Sequence, residues 1–147
     1  MAKVDTSDLK FFYRDLLRIR DKTIDKGKPF IRREGDKLKR RVERRARQEV
    51  NKTAVTRKNY TREAGQYHKS FKRGKAVRTK DGQFYVRVYT ADPIGHFVED
   101  GWRPKDRAGN IHGKTKGREI VKKAAEAFEP EFELDVTEWL EKLIYGF

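Results

Sequence analysis

An α+β fold is predicted for this chain of 147 residues: a small antiparallel sheet with a β-hairpin, flanked by a long basic N-terminal helix and a C-terminal helix. Three observations carry the prediction. Phe84, Val86 and Val88 alternate with Tyr85, Arg87 and Tyr89, the period of two of a strand with one buried face. Directly before them, Asp81-Gly82 lies between two extended runs, a short-range hairpin signal. Towards both ends of the chain, apolar residues recur at spacings of three and four, as amphipathic helices require.

In chain order, Ser7 is placed to cap a helix with the stripe Leu9, Phe12, Tyr13, Leu16 and Ile19, which Gly27 and Pro29 interrupt. A second helical pattern follows on Ile31, Leu38, Val42, Ala46 and Val50, with Gly35 on the same face, where a neighbouring backbone can approach closely. Its other face carries Arg32, Arg33, Lys37, Lys39, Arg40, Arg41, Arg44, Arg45 and Arg47. Residues 51–70 have no firm period, although Tyr60, Ala64, Tyr67 and Phe71 hold the spacing of a loose helical segment. A two-residue turn at Asp81-Gly82 sets Val77 opposite Val86. Asp92 and Pro93 read as the N-cap and first position of a short helix with Ile94, Phe97 and Val98 on one face and Gly101 as its stop. Residues 103–117 are basic, rich in glycine and proline, and read as a flexible surface loop. A final helix carries Val121, Ala124, Ala125, Phe128, Phe132, Val136, Trp139, Leu140 and Leu143, with Pro130 expected to kink or split it. The whole, 1–147, reads as one domain with a helical extension over about 1–28.

Hydrophobic residues make up 35% and charged residues 41%, so the core is modest and long solvated helices are favoured. The net charge of +14 is unevenly spread. Residues 26–80 hold 21 lysines or arginines against 5 acids, whereas residues 119–147 hold 8 acids against 3 bases, giving the two segments opposite charge. With no cysteine, neither disulfides nor thiolate metal sites can form. The apolar runs are too short to cross a membrane, and the N-terminus has no apolar leader.

Catalytic patterns fail on physical grounds. Residues 108–115, AGNIHGKT, fit the letters of a phosphate loop, but no buried strand precedes them and Gly117 follows where a helix should open. His68, His96 and His112 fall in three separate segments, and Glu99 and Asp100 are helical neighbours that point apart. The expectation is no enzyme, no metal and no cofactor. Arg40, Arg41, Arg44, Arg45 and Arg47 could face DNA in a sequence-blind way, or form a solvated or acid-paired face, for which the acidic C-terminal helix supplies a pairing surface. A solvated or acid-paired face is favoured, because no exposed aromatics are interleaved with them. Trp139 lies on an apolar stripe and reads as core, whereas Trp102 follows a helix stop and reads, with His96, Phe97 and Glu99, as a subunit or partner interface.

The order of features, a basic helix, GQYHKSFK (residues 65–72), a hairpin, DPIGHFVEDG (92–101), a glycine-rich loop and FEPEFELDVTEWL (128–140), resembles the tail-component, or tail-completion, proteins of tailed bacteriophages and prophages. His96, Val98, Glu99 and Gly101 match the family's turn, and Ser70 matches the serine before its hairpin. Ala64-Gly65 stands where the family has Thr-Gly, and residues 59–63 look inserted. The resemblance implies an α+β subunit of a homo-oligomeric ring, with a hexamer as the candidate copy number, at the joint between head connector and tail. It further implies neighbouring connector and tail proteins as partners, DNA passing through the lumen, a place in the virion after assembly in the host cytoplasm, and no catalysis. A basic, sequence-independent nucleic-acid-binding module is the alternative.

Overall fold

The structure, a computed structural model, describes residues 7–146, with side chains from Lys10 onward and that of Arg57 excepted. The expected Ser7 cap and the apolar contact of Leu9 lie outside the described side chains. Helix α1 (Ser7–Glu49) is unbroken over 43 residues, about 65 Å of rod. Neither Gly27 nor Pro29 ends it. Pro29 removes the hydrogen bond to the Asp25 carbonyl, but both residues are exposed, and water can satisfy that oxygen. Gly27 serves a different purpose: a Cβ there would lie 2.4 Å from the Phe84 ring, so the glycine lets the hairpin sit on the helix. Gly35 does the same for the Val86 side chain, which approaches where a neighbouring backbone was expected.

Helix α3 (Ile120–Tyr145) runs antiparallel along the C-terminal half of α1. Phe30 stacks on Trp139 at 4.6 Å between ring centroids, Lys37 Nζ lies 2.5 Å from Asp135 Oδ2, and Arg41 pairs with Glu131. Pro130 is exposed and α3 passes through it as one element, not the two that a split would give. Charge therefore guides the two helices together, while burial holds them. The centre of the core is made by Val42 and Ala46 of α1, Ile120 and Ala124 of α3, and the aromatic pair Tyr67 and Phe71.

That pair comes from a segment whose expected helix is replaced by other structure. β1 (Val55–Arg57) and β2 (Tyr60–Arg62) form a hairpin with Lys58-Asn59 at its tip, and Tyr67–Lys69 is a single 3₁₀ turn. The turn places Tyr67 and His68 inside, with Tyr67 edge-on to Phe71 at 5.1 Å. Burial drives the Tyr67 hydroxyl up to about 12, so it stays a neutral phenol at any physiological pH.

The main hairpin pairs β3 (Phe71–Arg73) with β6 (Val88–Thr90), and β4 (Val77–Arg78) with β5 (Phe84–Tyr85). The register changes by one between these ladders, because Lys75 and Ala76 together oppose Val86, a β-bulge that bends the ribbon over α1. Val77 consequently faces Tyr85, not Val86. Thr79 N–H donates to the Gln83 carbonyl at 2.8 Å and closes a three-residue loop with Gly82 at φ 86, in place of the expected two-residue turn. Alternation holds along the strand: Phe84, Val86 and Val88 turn inward, and Tyr85, Arg87 and Tyr89 are exposed.

Candidate assembly interface

Beyond β6 the chain enters the turn that leads to α2 (Gly95–Asp100), held at its start by a buried ion pair. Arg62 Nη1 donates to Asp92 Oδ1 at 3.0 Å, and Nη2 donates to Oδ2. The same Oδ1 accepts the Ile94 N–H at 3.0 Å. Asp92 is thus not the N-cap expected of it, since α2 begins two residues later than predicted. It is a buried carboxylate that orders the approach, and Arg62 from β2 neutralises it.

Gly101 ends α2 as expected, with φ 81 and its N–H donated to the Phe97 carbonyl. It also opens β7 (Gly101–Trp102), which pairs with β8 (Thr115–Lys116) so tightly that a Cβ on Gly101 would stand 2.2 Å from the Thr115 carbonyl oxygen. Residues 103–114, part of the loop expected over 103–117, form the arm of this third hairpin. Asp106 ties its tip together, accepting from the Asn110 backbone and side chain and facing His112 Nε2 at 2.9 Å. These bonds, that to His112 foremost, hold the Asp106 carboxyl down at about 2. AGNIHGKT runs through this tip into β8, so it forms no strand-to-helix phosphate cradle.

Four residues were expected to face a partner. Trp102 is 47% exposed and Phe97 45%, their rings 6.4 Å apart and edge to face, with the His96 ring tilted beside Phe97 at 3.9 Å. Together with Val50, Ile94 and Val98, Phe97 and Trp102 line an open apolar groove of about 530 Å³ with Lys116 and Arg118 at its edge. Glu99 turns inward. Its two carboxylate oxygens accept the N–H groups of Val121 and Lys122, each at 3.0 Å, and so cap the first turn of α3. That cap was missed because Glu99 is more than twenty residues away in sequence, while the local N-cap, Glu119, makes no side-chain cap and sits in the left-handed region at φ 51.

The basic face of α1 divides in two. Arg41 is committed to Glu131, with its guanidinium also over the Phe128 ring, and Arg45 pairs with Glu49. Arg40, Arg44 and Arg47 are exposed and have no carboxylate partner among the described residues. The C-terminal end of α1 receives two donors: Arg118 to the Glu49 carbonyl, and His68 Nε2 to the Val50 carbonyl at 2.7 Å. Among the described residues, no helix is long and apolar enough to cross a membrane.

Residues 12–101 match the model of one protein family, described as "Bacteriophage HK97-gp10, putative tail-component". The matched span takes in α1 from its second turn, both N-terminal hairpins and all of α2, and ends where β7 begins. Searches of curated proteins and of solved structures gave no match.

Proposed function

Because the chain belongs to the HK97-gp10-like family of phage tail components, we propose that it is a structural subunit of the head-tail joint that closes a ring of identical copies, six being the candidate number. It works there by assembly and without catalysis, contacting connector and tail proteins, first in the host cytoplasm and then in the virion. The observation that carries this reading is the exposed Phe97–Trp102 pair, displayed on a turn fixed by the Arg62–Asp92 pair, the Gly101 cap and the Glu99 bridge to α3. Large aromatics held rigidly at the surface lose little freedom on docking and bury much area, which suits an interface anchor. A ring requires a heterologous contact between unlike patches. The basic edge of the Trp102 groove and the acidic outer face of α3, with Glu133, Glu138 and Glu141 exposed, are two such patches. His96 and Phe97 belong to this contact with Trp102, and Glu99 positions them from behind.

Native mass measurement of the purified chain tests the proposal. An oligomer is expected, with Trp102→Ala shifting it towards monomer at unchanged helicity. A monomer at every concentration, or a Trp102→Ala protein that assembles as well as its parent, overturns it.

A second reading, binding to double-stranded nucleic acid, is supported by the free cations Arg40, Arg44 and Arg47. Neutralising these three should flatten the salt dependence of duplex binding, whereas Arg41→Ala and Arg45→Ala, already paired in the fold, should change it less. Duplex binding by a protein that stays monomeric, without sequence preference and weakening steeply with salt, would favour this reading over the structural one.

A further inference from the structure

The first third of α1 extends beyond the end of α3 and carries an apolar stripe that stands exposed among the described residues. Phe12 and Leu16 are exposed, with Ile19 next on the same face at a spacing of three. Phe11 and Tyr13 flank them at 62% exposure. Residues 10–22 also hold five bases against two acids, and one of those acids, Asp21, is already paired with Arg20 at 2.8 Å. Such a projecting arm is both apolar and basic.

Elsewhere on the molecule lies a surface of complementary character. The main hairpin and α3 both rest on α1, and between Phe84–Val86 of the hairpin and Ala125–Phe132 of α3 lies a groove of about 450 Å³. Its floor is Ile31, Gly35 and Leu38, and its walls include Val86 and Phe128. Glu34, 2% exposed, lies at the bottom with Oε2 making no hydrogen bond, although Lys37 Nζ stands 3.3 Å away. Glu126 and Glu129 stand exposed at the rim, neither in a salt bridge among the described residues.

We infer that the arm of one copy, residues 10–22, docks into this acid-rimmed groove of the next copy. Charge selects between the two apolar grooves, because the one at Trp102 is edged by Lys116 and Arg118 and repels a basic segment. The arm cannot serve its own groove: Leu16 and Ile31 are fifteen residues apart along one continuous helix, about 22 Å. Joining a patch to an unlike patch on the next molecule is a heterologous contact, which propagates round a ring. This inference rests on the assembly proposed above, and it assigns that assembly a second contact, independent of Trp102.

The chain has no cysteine, so engineered thiols report unambiguously. Leu16→Cys protein is mixed with Ala125→Cys protein under mild oxidation, and disulfide-linked species are resolved on non-reducing gels. The mixed adduct is expected to exceed both homodimers, and to be lost when Glu126→Lys and Glu129→Lys are added to the Ala125→Cys chain. Predominant Leu16→Cys homodimers would mean that arms pair with arms and would overturn the inference. An oligomer by native mass that gives no mixed adduct overturns the arm contact while leaving the ring standing. A preparation monomeric throughout removes both.

Discussion

At the scale of single residues, Glu119 and Glu99 share one task in a way that can be measured. Glu119 occupies a left-handed conformation that costs an L-residue roughly 1–2 kcal/mol, and its side chain does not cap the helix it precedes. Glu119→Gly should therefore raise stability by about 1 kcal/mol, read from denaturant midpoints, because only an exposed pair with Lys122 is lost. Glu99→Ala removes the cap that substitutes for it and should cost about 0.5–2 kcal/mol, with α3 losing amide protection first. Gly101→Ala is expected to be worse tolerated than a surface substitution, since both its φ and the Thr115 carbonyl at 2.2 Å forbid a Cβ. By contrast, Trp102→Ala should shift monomer stability by no more than about 0.5 kcal/mol while weakening association by about 2 kcal/mol or more.

Between elements, the contact of α1 with α3 combines a stacked aromatic pair with ion pairs, and each gives way differently. Phe30→Ala deletes a buried ring and its stack on Trp139, a loss of about 3–5 kcal/mol that a thermal melt will register. The Lys37–Asp135 pair adds a pH window. The hydrogen bond from Lys37 holds the Asp135 carboxyl below its ordinary 3.8, so the stability it contributes is complete above that pH and is lost as pH falls through the lower folded value. The hydrogen bond to Asp135 raises Lys37 above its ordinary 10.5, so its contribution is complete below 10.5 and is lost as pH rises through the higher folded value. Asp135→Asn should remove both limbs of the pair's contribution in melts recorded across pH, leaving the other titrations in place. Much of this contact could be read from the sequence, because the stripe to Trp139 and the opposite charges of the two helices are local patterns. The tolerance of Pro29 and Pro130 could not, since it depends on which side of each helix faces water. Nor could the role of GQYHKSFK: a 3₁₀ turn gives no periodic signal, and Tyr67 and Phe71 become core only because α1 and α3 close over them.

For the molecule as a whole, the strand, the short helix and its glycine stop were legible, whereas the use made of them was not. Phe97 and Trp102 were visible as interface candidates because exposed aromatics after a helix stop are a local feature. The acid-rimmed groove could not be anticipated, as its floor and walls come from three segments far apart in the chain. The same separation bears on biosynthesis. Phe30 meets its partner Trp139 only after more than a hundred further residues have been made, so the growing chain leaves the ribosome with the packing face of α1 bare. A chain terminated early, before α3, presents the bare helix to the cell's proteases and chaperones and never completes the acidic rim on which a neighbour's arm would settle. On the assembly proposed above, α3 thus acts as a check on the subunit itself, because only a chain translated through this helix carries both the partner of α1 and the acidic rim.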